Sequence, residues 1–201
     1  MMMFNIFAKM ALACALLLTP ALIRANEVAT VAFLGALKVA QVQAMRATAD
    51  YYAAIGVGVE AQQTTGLANR LETGGLGGED SIQAFQSAAY GLKARIDDYR
   101  ARGKIPTAQQ LELARKAKAK LDSADVALGV AVAAGVVAAV DGGNFLEKMA
   151  KAAILTGIAL KMTEPFGAAR DAARQYTELR LSGETGFQVV STELQPAFAD
   201  L

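Results

Sequence analysis

The chain has 201 residues, 20 basic against 19 acidic, with no histidine, no tryptophan and a single cysteine. That composition excludes a serine or cysteine triad with a histidine base and zinc sites of the usual Cys/His kind. It also gives no global electrostatic pull toward nucleic acid or an anionic surface.

The first 25 residues read as an address. Lys9 precedes the apolar run Met10 to Leu18, Thr19-Pro20 breaks it, and Ala21-Leu-Ile-Arg-Ala25 supplies the small-residue end of a secretory signal peptide. The run is well short of the roughly 20 residues that span a bilayer. Cleavage is expected after Ala25, with Ala21 as the alternative. The lone cysteine, Cys14, lies inside the leader, so the mature chain is expected to carry no thiol and no disulfide. Taking Lys9 and Arg24 from the 20 basic residues leaves 18 against 19 acidic ones, so the mature chain is nearly neutral. Its length fits one domain, here 26–183, followed by a tail at 184–201 that the pattern leaves unassigned.

Residues 27–55, rich in Ala and Val, predict a long helix after a possible cap at Asn26, and Gly56-Val-Gly-Val59 either continues or bends it. Beyond the glycine loop 73–78, Ile82, Phe85, Ala89, Leu92, Ile96 and Tyr99 alternate steps of three and four and so share one helical stripe. That helix ends at Gly103. Thr107 and Gln110 have capping-box spacing and open an unbroken helix over 108–140. Further helices are predicted from Asn144 to about Met162 and from Thr163-Glu-Pro165 to Ser182. Five helical segments with short connections predict an all-α, antiparallel up-and-down bundle of four to five helices with almost no strand.

The glycine loop precedes a helix start, but Glu79 and Asp80 follow at once, which opposes phosphate binding. Asp97 and Asp98 sit at ion-pair spacing from Arg95, Arg100 and Arg102; Asp122 with Asp125 is the one carboxylate pair near apolar sequence. Neither suggests a metal, and no cofactor is expected. The basic run Arg115, Lys116, Lys118, Lys120 has no interleaved aromatics, so nucleic acid is not expected as a partner.

Val126 to Val140 contains only Val, Ala, Gly and one Leu. Ala127, Ala131, Gly135 and Ala139 recur every four residues and form a smooth ridge that lets another backbone approach closely. Folding back at 141–144 is expected to set Ala131 opposite Ala153 and Ala127 opposite Gly157 as a close-packed hairpin. Fifteen residues reach about 22 Å, short of a hydrocarbon layer of about 30 Å. The leading expectation is an exported, non-catalytic helical protein of the periplasm or envelope, structural, binding or accessory, with a protein partner or self-association. The alternative is a membrane-associated or membrane-inserting subunit that uses the hairpin at 126–160. Carboxylate-based catalysis ranks third.

Overall fold

The computed structural model describes residues 26–140 and 145–194; residues 1–25, expected to be a leader cleaved at its end, lie outside them. Five helices follow in order: α1 Asn26–Ala54, α2 Gly58–Glu72, α3 Gly78–Ala101, α4 Ala108–Val140 and α5 Phe145–Leu194. There is no strand among the described residues.

Cross-helix pairs give the directions. Phe33 meets Gly135 and Asp50 meets Lys120, so α1 and α4 run antiparallel. Gln41 meets Ser81 and Tyr52 meets Ala88, so α1 and α3 run parallel. Glu79 with Lys161 and Phe85 with Phe166 make α3 and α5 parallel as well. The chain therefore alternates up and down, and α1 touches all four other helices, α4 most extensively. Alanine supplies about half of the buried apolar side chains, which permits this close approach around α1.

The stripe on α3 forms as its spacing requires: Phe85, Ala89, Leu92, Ile96 and Tyr99 are buried, and Ile82 packs against the core from its edge. Thr107 and Gln110 complete a reciprocal box, the Thr107 amide donating to Gln110 Oε1 at 2.8 Å and the Gln110 amide to Thr107 Oγ1 at 3.3 Å. One boundary closes an open choice and one differs from expectation. Gly56, at φ +78°, ends α1, because that left-handed conformation is open to glycine and the amides of Gly56 and Val57 then bond back to Ala53 and Tyr52. In the other direction, Pro165 does not open a new helix. It sits inside α5, which continues past Gly183 to Leu194 and so takes in most of the unassigned tail.

The core divides in two. One cluster joins Phe33, Leu37, Met45, Phe85, Met162 and Phe166; the other joins Tyr51, Tyr52, Leu92, Ile96, Tyr99 and Tyr176. Gln41 ties the start of α3 to α1, its Nε2 donating to the Ser81 carbonyl at 2.7 Å. Glu72, in the last turn of α2, pairs with Arg46. These pairs set the end of α2 and the start of α3 beside the middle of α1, so the first part of α1 extends beyond them.

Candidate interaction surface

The expected ridge on α4 is present, but its partner is α1. Ala131 is fully buried, while Ala127 and Ala139 are partly covered. A Cβ placed on Gly135 would lie 2.8 Å from Cδ2 of Phe33, so the bare glycine is what admits that ring. The expected far side of the seam is different: Ala153 is exposed, and a Cβ on Gly157 would meet nothing within 4 Å. The close seam is therefore α1 to α4, and not α4 to α5 through Ala153 and Gly157. The physical reason is that a smooth ridge accepts any partner, and α1 offers a large ring to fill it.

With the ridge turned toward α1 and part of the helix covered by α5, the rest of α4 points outward. Val126, Val130 and Val132 are exposed there, as are Val31, Leu34 and Val39 on α1 and Met149, Ile154 and Leu160 on α5. Among the described residues, nine of the twelve large exposed apolar side chains thus lie toward one end of the bundle, on three helices. A stretch of α4 is long and apolar enough to cross a membrane, with mean hydropathy 1.7, yet only 28% of it is buried in the fold. A helix at the centre of a closed bundle would be mostly covered. Single exposed apolar residues are ordinary on protein surfaces; a concentration of them on neighbouring helices is what a contact surface would require.

Ion pairs lace the rest of the bundle, up to the border of the apolar region. Arg170 holds Asp125 through Nε and Nη2, at 3.1 and 2.6 Å. Asp122 pairs with Lys118, Asp98 with Arg102, and Glu60 with Arg95 across two helices. Of the carboxylates considered as catalytic or metal-binding candidates, these contacts occupy Asp98, Asp122 and Asp125. Glu112 lies nearest Arg115, and Lys120, the last residue of the basic run, reaches across to Asp50 on α1. Among the described residues, no three Asp or Glu side chains converge as a metal site would require.

Glu79, in the first turn of α3, is held below the usual carboxylate range by its hydrogen bond and ion pair with Lys161. Burial pushes the Tyr51 and Tyr52 hydroxyls up to about 12, helped by Asp122 and Glu60 respectively. Tyr176 is raised by burial and by Tyr99 and Tyr51 beside it. A group held neutral this firmly is a poor proton donor or acceptor at neutral pH. The shallow depression of about 540 Å³ on α2, lined by Gln63, Gly66, Leu67 and Arg70, contains no acid–base pair.

Sequence reasoning located the apolar stretch on α4 but missed the contributions of α1 and α5. Val31, Leu34 and Val39 carry no motif, and their exposure depends on where α2 and α3 stop. The chain matches no protein-family model, no curated protein and no solved structure.

Proposed function

We propose that the protein is an exported, non-catalytic helical factor that binds at the cell envelope through the apolar end of its bundle. Export rests on the leader pattern at 1–25. The binding role rests on one observation, the nine large apolar side chains displayed at one end by α1, α4 and α5. Leaving such a surface in water forgoes about 25 cal/mol for each Å² that a partner would cover. Association is what recovers it.

A more specific reading takes lipid as that partner. The exposed side chains are shared among three helices and not confined to one helix face, and residues 126–140 of α4 contain no ionisable group. The part of α4 free of ionisable groups is only about 22 Å long, and a full crossing of about 30 Å would carry flanking acids such as Asp125 into the hydrocarbon, so partial immersion suits it better. Flotation of the purified mature protein with neutral phosphatidylcholine vesicles tests the lipid reading, and light scattering after size exclusion tests self-association. Protein that floats supports lipid as partner; protein that self-associates without floating supports a protein partner. A monomer that neither floats nor binds a fluorescent apolar probe at this end overturns the proposal.

A further inference from the structure

We propose that residues 145–161 of α5 form a half-helix that undocks from α1 and α4 as a unit, turning about the segment that ends at Pro165. The first ground is a step in burial along one continuous helix. No described side chain from 145 to 161 is buried, and Met149, Ile154 and Leu160 are exposed. From Met162 onward the pattern reverses: Met162, Pro165, Phe166, Ala168, Ala169, Ala172, Tyr176 and Leu179 are all buried. One half is embedded and the other rests on the surface.

The second ground is the backbone at the step. Pro165 has no amide hydrogen, so the Lys161 carbonyl loses its usual partner four residues on, and bending of a long helix concentrates at such a point. Thr163 adds to this, its hydroxyl donating to the Leu160 carbonyl at 2.7 Å. Side-chain bonds of this kind bend helices. The pivot itself is anchored, because Phe166 packs edge-on against Phe85 with ring centroids 5.1 Å apart.

Among the described side chains, little holds the outer half down. Leu155 and Ile158 are its described apolar contacts with the core, and Gly157 leaves open space where a close seam would have none. At the hinge, Lys161 pairs with Glu79 and Glu164 accepts from the Tyr90 hydroxyl, both at exposed positions. The α1 to α4 pairing does not depend on this half, since Phe33 fills the notch at Gly135 directly. Undocking therefore leaves the rest of the bundle standing and uncovers Leu155, Ile158 and the surface beneath them. Only the use of that opening, enlargement of the apolar end for its partner, rests on the function proposed above.

Amide hydrogen exchange on the purified full mature protein, without vesicles, tests the hinge. Peptides from 145–161 are expected to exchange about tenfold or more faster than those from 166–179, with the break between 161 and 165. Leu155→Ala with Ile158→Ala should accelerate the first set and leave the second unchanged, and Pro165→Ala should slow the first. Equal protection on both sides of Pro165, or equal acceleration of both halves in the double variant, overturns the hinge. The wild-type profile and the double variant decide the matter even if Pro165→Ala fails to fold. A protein that shows the step but never floats keeps the hinge and loses the lipid reading; one that floats without the step does the reverse.

Discussion

The ring of Phe33 on α1 lies where a side chain at position 135 of α4 would have to be. Two opposing terms act on Gly135→Ala. Alanine favours a helix over glycine by about 1 kcal/mol, but overpacking a buried site costs roughly 1–3 kcal/mol. Phe33 is almost wholly enclosed, so its ring has little room to yield and the second term should prevail. Gly129 and Gly157 lie in helices with open space at the Cβ position, so alanine there meets only the favourable term. Thermal melts should show Gly135→Ala lowered and Gly129→Ala and Gly157→Ala unchanged or raised. A drop for Gly157→Ala equal to that for Gly135→Ala would restore the α4 to α5 seam expected from sequence.

A second glycine is paired with a hydroxyl. A Cβ on Gly91 of α3 would come 2.5 Å from the Tyr52 hydroxyl, which itself donates to the Ala88 carbonyl at 2.9 Å. Gly91→Ala alone should therefore destabilise by about 1–3 kcal/mol. In a Tyr52→Phe background the obstructing oxygen is gone, and the same substitution should become close to neutral. A double-mutant cycle on urea denaturation reads this directly. Strict additivity would show that the two residues do not touch.

These two glycines mark the limit of what the sequence made legible. Periodicity and capping are local, so the α3 stripe and the Thr107 to Gln110 box could be read from spacing, as could the length of α4. A small-residue ridge states only that some partner comes close. Which helix that is depends on Phe33, about a hundred residues away and in a helix without a well-defined face. The boundary at Pro165 was misread for a related reason: buried packing on both flanks, with Met162 and Phe166 enclosed, outweighs the local cost of proline within the helix. The apolar end was half legible, because composition revealed α4 while the exposure of α1 follows from where its neighbours end.

The tyrosines predict an alkaline limit to stability. All five, Tyr51, Tyr52, Tyr90, Tyr99 and Tyr176, have raised pKa values, Tyr51 and Tyr52 at about 12 against the ordinary 10.0. For an acid raised on folding, the unfolded state releases its proton first. The stabilisation is therefore complete below pH 10 and is lost as pH rises from there toward 12. Absorbance at 295 nm should show tyrosine ionisation lagging behind that of the urea-unfolded chain, then catching up as helical circular dichroism falls. Five tyrosines ionising near 10 with the helix signal intact would contradict the enclosed setting of the Tyr51 and Tyr176 rings, whose centroids are 5.8 Å apart.

Charge placed on the apolar end separates binding from folding. Val130 and Ile154 are exposed on α4 and α5, so lysine at either should change stability by no more than about 0.5 kcal/mol. If lipid covers these positions, each lysine opposes immersion, by roughly 2.5–3.5 kcal/mol at full depth and less near the interface. Flotation of Val130→Lys and Ile154→Lys should then fall at least about tenfold, since 1.4 kcal/mol already corresponds to that factor. Val59, on α2 and away from this end, is equally exposed and serves as the control: Val59→Lys should float as the wild type does. If all three variants float alike, the apolar end is not the lipid-facing surface. Unfolding of Val130→Lys or Ile154→Lys in buffer alone would show instead that these side chains are covered by the protein itself.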